Sequence, residues 1–279
     1  MPDSPEHLRE PFRKLRESLK HIEKNPPPED VHRLRTQARR IESLASALTP
    51  SGGKKARQLI RPVKHLRKAA GGVRDMDVLT SNALSLRSRS NSRSLARLLE
   101  FLKSERASNA LKLLKTVDRE SKQFRKSVRK YSQLIKRAAQ SSNAAGPKSS
   151  PAADPLYAAA GELIAELTAW PAITVRTIHS FRLRVKELRY ILQALPESDK
   201  GFIDALSVVK DQIGEWHDWQ QLAEVAAVAI PGAKDKALLD EIRQTERKKL
   251  RQAKSVSNAM REGWLTPFKT PPDTGQSEK

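Results

Sequence analysis

Two short runs hold the residues best suited to chemistry. In residues 31–48 a histidine is followed three and seven positions later by arginines, giving His32, Arg35 and Arg39, with Arg40 alongside. Residues 178–195 repeat the spacing as His179, Arg182 and Lys186, followed by Arg189. At about 100° per residue these offsets share one face of a helix, opposite an apolar stripe. Guanidinium and ammonium groups only donate hydrogen bonds, and imidazole adds an N–H whose charge responds to a nearby anion. Such a set recognises acceptor-rich anions, phosphate above all, rather than activating a nucleophile.

Further basic rows follow the same logic. Arg61, Lys64, Arg67 and Lys68 face away from Leu59, Val63, Leu66 and Ala70. Lys115, Arg119, Lys122, Lys126 and Arg129 recur at i, i+4, i+7, i+11 and i+14, a stripe less than about 90° wide. Arg243 and Arg247 continue the theme near the C-terminus. Like charges at i,i+4 destabilise an isolated helix by a few tenths of a kcal/mol per pair, so a polyanion that relieves them is the expected partner.

Catalytic patterns are weak beside this. Glu29 precedes His32 with the Glu-x-x-His spacing of di-iron bundles, but the matching residue before His179 is Arg176, so no symmetric metal site is encoded. Gly52-Gly53-Lys54 lacks the Gly-x-x-x-x-Gly-Lys-Ser/Thr spacing of a phosphate loop and reads as a helix start. No serine stands in a nucleophile motif, and no carboxylates share a face for acid–base work. The expectation is a binding protein without enzymatic activity, cofactor or metal.

The elements that position these residues are helices. Apolar positions recur with helical period over about 6–23, 29–48, 54–70, 75–87 and 92–138, then 155–168, 174–195, 199–213, 217–229 and 234–262. Strand patterns are nearly absent. Residues 140–155, rich in Ser, Ala and Pro, are read as a linker between halves 1–139 and 156–265, and residues 266–279 as a frayed tail.

An internal repeat organises the whole. Setting residues 31–48 over 178–195 places His32 on His179, Leu34 on Phe181, Arg35 on Arg182, Ala38 on Val185, Arg39 on Lys186 and Ile41 on Leu188. A second block pairs Gly71-Gly72-Val73-Arg74-Asp75 with Gly214-Glu215-Trp216-His217-Asp218. These glycines are expected to end helices with positive φ, and the aspartates to cap the next ones or pair with an arginine.

Charge narrows the partner. The chain of 279 residues has 53 Lys+Arg against 32 Asp+Glu, a formal net charge of +21. The excess is concentrated in residues 1–140, which hold 34 basic and 14 acidic side chains, against 19 and 18 in the remainder. Such a field gathers nucleic acid, phosphate polymer or anionic membrane without choosing among them. There is no cysteine, so disulfides and thiolate chemistry are excluded. No apolar run reaches the roughly 20 residues of a membrane span, and the first residues carry no apolar signal, which points to the cytoplasm. All four tryptophans (Trp170, Trp216, Trp219, Trp264) lie in the nearly neutral half, and base stacking needs exposed rings, so nucleic acid ranks behind phosphate polymer. A scaffold docking on acidic proteins is the third class.

The ordered pair of pairs, His-x-x-Arg helix then Gly-x-x-Arg/His-Asp block, resembles the CHAD domain family, the conserved histidine α-helical domains. The likeness spans about residues 6–262. It implies an all-α fold of two four-helix bundles with long helices related by pseudo-twofold symmetry. It also implies a basic surface or pore that binds inorganic polyphosphate, frequent association with polyphosphate granules, and here a member standing without a triphosphate-tunnel catalytic domain. Carried over, the ligand-facing residues are His32, Arg35, Arg39, Arg40, Lys64, Arg67, Lys68, His179, Arg182, Lys186 and Arg189. Lys64 and Lys68 are matched by Ser207 and Asp211, so the second half contributes fewer charges.

Overall fold

A computed structural model describes the backbone of residues 5–48, 54–86, 92–144, 155–195 and 198–266. Within those ranges the side chains of 5–9, 43–48, 54–59, 92, 127–144, 155–156 and 194 are not described. The described residues form α-helices with no strand: α1 (Pro5–Lys20), α2 (Pro28–Leu48), α3 (Lys54–Leu84), α4 (Ser92–Ala144), α5 (Pro155–Thr168), α6 (Ile178–Ala194), α7 (Lys200–Ala229) and α8 (Lys236–Met260). A π-helical turn, Arg261–Leu265, follows α8.

The chain divides into two compact units, Met1–Pro147 and Lys148–Lys279. In the first, α1 packs on α2 and α4, α2 on α3, and α3 on α4, closing a ring of four helices. Its core holds Phe12, Leu15, Leu34, Ala38, Ile41, Val63, Leu66, Ala70, Leu113 and Phe124. Phe12 and Phe124 stack at 6.4 Å and tie α1 to α4. In the second, α5 packs on α6, α6 on α7 and α7 on α8, and the π turn returns to α5. Its core includes Phe181, Val185, Leu188, Leu192, Leu195, Leu206, Val209, Ile213 and Trp216. Trp216 and Trp219 are buried, and Trp170 and Trp264 pack against that core, so the tryptophans serve packing.

The inward residues expected for 178–195 are buried as a set. In 31–48, Leu34, Ala38 and Ile41 are buried, while the side chains of Ala45, Leu48 and Leu59 lie outside the described residues.

Helix boundaries depart from expectation at the glycine blocks. Segments 54–70 and 75–87 are one helix, α3, and 199–213 and 217–229 are one helix, α7. Gly71, Gly72 and Gly214 sit inside these helices, and none adopts a left-handed φ. The cause is packing. Leu66, Ala70 and Val73 keep one buried stripe running through the glycines of α3, as do Val209, Ile213 and Trp216 through Gly214 of α7, and beyond them Leu79, Ala83 and Leu222 are buried on another face of the same helices. That continuous apolar face outweighs the roughly 1 kcal/mol each helical glycine costs. Similarly, α4 continues to Ala144, into the expected linker, of which residues 145–154 lie outside the description, as do 267–279 of the expected tail.

Helix starts follow local chemistry. Pro28 opens α2 with Glu29 and Asp30 in the first turn. Before α6, Thr174 and Thr177 exchange hydrogen bonds, Thr174 N donating to Thr177 Oγ1 at 2.9 Å and Thr177 N to Thr174 Oγ1 at 3.3 Å. That clasp sets His179 in the first turn of α6, where no acidic residue stands. The Asp199 carboxylate caps α7 by accepting from Phe202 N at 3.2 Å.

Candidate anion-binding clusters

In the first unit the cluster is built where α2 crosses α3. Arg35 leaves the exposed face of α2 and lies over Gly71, where an added Cβ would stand 3.6 Å from its Nε. That Nε is buried and has no hydrogen-bond partner among the described residues. Burial pushes the guanidinium below its ordinary pKa, and Arg39, Arg67 and Arg74 push the same way while Asp75 opposes. Arginine nonetheless stays charged at physiological pH. Several cations of α2 and α3 therefore bear on one buried N–H donor that has no acceptor among the described residues. Arg67 is partly neutralised, its Nε donating to Glu42 at 2.7 Å.

In the second unit the arrangement recurs on α6 and α7. Arg182 lies over Gly214 so closely that a Cβ there would be 2.8 Å from Nη2. Its Nε donates to the carbonyl of Lys210 at 3.1 Å. Here the guanidinium is held close against the helix backbone, and glycine is the residue that leaves room for it. His179 and His217 face each other across the two helices, ring centroids 5.7 Å apart. Burial, then His217, Arg182 and Lys186, lower the pKa of His179, so the free cluster favours its neutral form.

The neighbouring positions differ between units. Arg189, in the place of Glu42, donates from Nε to Ser207 Oγ at 2.7 Å and lies over the Tyr190 ring at 5.6 Å. Asp211, in the place of Lys68, pairs with Lys210 at 2.6 Å. Charge is thus shared by α2 and α3 in one unit and supplied mainly by α6 in the other.

The remaining expected site residues are mostly exposed, and some share a helix face with the first cluster: His32 stands one turn before Arg35 on α2, and Lys68 and Lys64 one and two turns before Gly71 on α3. His32 is exposed near the start of α2. Arg40 is exposed and bears on Glu10 of α1, whose carboxyl it helps to hold below the usual range after Lys14 and Arg13. It therefore belongs to the α1 side of α2. Arg61, Lys64 and Lys68 are exposed on α3. Lys115, Arg119, Lys122 and Lys126 are exposed along α4, where Arg119 Nε donates to Glu120 at 2.9 Å; the Arg129 side chain lies outside the described residues. Arg243 and Arg247 are exposed on α8.

Two cluster members, Arg74 and His217, escaped the reading of the basic rows because their glycine block was assigned to helix ends. The signal was present. Read as uninterrupted helix, Arg67, Gly71, Arg74 and Asp75 are spaced i, i+4, i+7 and i+8, a single face.

No three or more His, Cys, Asp or Glu side chains gather to hold a metal ion among the described residues, and no described helix is long and apolar enough to cross a membrane.

A family model described as the CHAD domain matches residues 5–227. The CHAD domain from the plant Ricinus communis is similar in structure, with 20% sequence identity, a TM-score of 0.60, and 92% of this chain and 91% of that chain covered. PptA from Streptomyces chartreusis is similar at 17% identity and a TM-score of 0.67, covering 92% of this chain and 97% of that one. At such identities the likeness is one of fold. No curated protein matches the chain. The family match ends before α8, the helix that completes the second unit's packing.

Proposed function

Since the chain belongs to the CHAD domain family, we propose that it binds inorganic polyphosphate without catalysis, through the arginine-over-glycine clusters of α2–α3 and α6–α7. One observation carries the reading: both units seat an arginine on a glycine of the neighbouring helix and surround it with further basic side chains, Arg39, Arg67 and Arg74 in one, His179, Lys186 and His217 in the other. A polymer bearing about one negative charge per phosphate offers acceptors in series, and fixed guanidinium donors on rigid helices meet successive phosphates with charge-assisted hydrogen bonds.

Nucleic acid competes on charge alone. The reading against it is supported by the tryptophans, which are buried in or packed on the core of the second unit and so are not stacking platforms. In this reading the protein is cytoplasmic and associates with polyphosphate granules.

The test is a titration of the full chain with long-chain polyphosphate, in competition with single-stranded and duplex DNA at equal charge concentration. Polyphosphate is expected to hold against both. Arg39→Glu together with Lys186→Glu is expected to weaken binding by roughly tenfold or more, each removing a charged hydrogen bond of about 1.5–3 kcal/mol. Displacement of polyphosphate by DNA at equal charge would overturn the reading.

A further inference from the structure

The two clusters match at glycine and arginine but part company three residues after the glycine, where α3 carries Arg74 and α7 carries His217. On the polyphosphate-binding reading, we propose that the α6–α7 cluster is a proton-linked anion site, tightening on acidification through His179 and His217, whereas the α2–α3 cluster keeps a permanent cation at the corresponding position. The rings lie 5.7 Å apart on different helices, His179 exposed and His217 half-buried, so an anion reaches both. Histidine is the side chain that ordinarily changes charge between pH 5 and 8, and protonation turns each ring from a single donor into a double one.

The groups facing the pair decide the sign. On α6 they are Arg182 and Lys186, both cations. From α7, Gln220 Oε1 lies 3.4 Å from His217 Nδ1, and Asp218, beside His217 in sequence, has an interaction of its own. Glu215 of α7 is taken up by Lys249 of α8 at 2.6 Å, and Glu166 of α5 by Arg184 at 2.9 Å. In the free protein the second proton on this pair meets mainly positive neighbours, and burial adds to the penalty on His179. A phosphate chain lying between the rings reverses that environment, so binding draws protons in, and by linkage acid strengthens binding.

The experiment is a histidine-ring NMR titration of the full chain, with and without saturating long-chain polyphosphate, whose internal phosphates do not titrate in this range. His179 is assigned from the spectrum of His179→Gln, and binding in each sample is verified by calorimetry. With polyphosphate bound, the His179 midpoint should rise by about a unit or more. In a chain carrying Arg39→Glu and Arg74→Glu, so that the second unit dominates, affinity should rise roughly tenfold or more from pH 8 to pH 6, and adding His217→Arg should cut that rise to a few-fold. Polyphosphate bound with the His179 midpoint unmoved would sink proton linkage and leave the binding reading standing. Absence of binding at every pH would sink both.

Discussion

Gly214 and Gly71 occupy equivalent places yet tolerate change differently. A Cβ at Gly214 would meet Arg182 Nη2 at 2.8 Å, whereas one at Gly71 would meet Arg35 Nε at 3.6 Å, an ordinary contact. Both lie inside helices, where alanine is favoured over glycine by about 0.5–1 kcal/mol. Gly71→Ala should therefore raise stability by about that amount in a urea melt and leave polyphosphate affinity within about twofold. Gly214→Ala should melt close to wild type, because the displaced atom is the end of a flexible side chain, while the second unit's anion affinity falls several-fold as the guanidinium leaves its seat. Equal behaviour of the two variants would show that the seat of Arg182 has no role in binding. The glycines themselves were visible in the repeat. Their purpose was not, because a glycine that ends a helix and one that admits a side chain look alike in a sequence.

Between elements, the contact most open to test joins α3 to α4. His65 Nδ1 lies 2.8 Å from Glu120 Oε1, and Arg119 Nε donates to the same oxygen at 2.9 Å. Burial works to raise the Glu120 pKa, but the hydrogen bonds from His65 and Arg119 outweigh it, and the carboxyl stays below its ordinary value of 4.5. A carboxyl lowered in the folded state contributes stability above its unfolded pKa and loses that contribution as pH falls through the folded value. Glu120→Gln should thus reduce stability at pH 7 and narrow the difference between urea melts at pH 7 and pH 3.5. An unchanged pH 7 midpoint would argue against the contact. The same pair of helices approaches closely at Gly72, where a Cβ would come within 3.3 Å of the Asn109 side chain, and Asn109 Nδ2 donates to the Gly72 carbonyl at 3.3 Å. The helices themselves were legible from 3.6-residue periodicity, and their lengths were not: local stop signals at Gly71 and Gly214 were overridden by apolar stripes that bury across them.

For the molecule as a whole, the net charge of +21 dictates the ionic-strength behaviour of any anion it binds. Neutralising a chain of phosphates releases condensed counterions, so log affinity should fall linearly with log salt. If six or more phosphates are engaged, affinity should drop on the order of 10³-fold between 50 and 200 mM salt, by the rule for nucleic acid. A shallow slope, equivalent to one or two contacts measured by titration at several salt concentrations, would mean that the clusters hold a small phosphate rather than a polymer.

Sequence alone determined the helical class, the family, the repeat and the sign of the charge the chain presents, because period, spacing and net charge are properties of the chain read in order. The tertiary structure decided which cations act together. It drew Arg74 and His217 into the clusters, turned Arg40 towards Glu10 of α1, set Glu42 against Arg67, and left the rows on α4 and α8 on helices of their own. A helix face shows which residues point the same way. What lies opposite them depends on how neighbouring helices pack, and that packing is fixed by buried side chains distant in sequence from the cations they bring together.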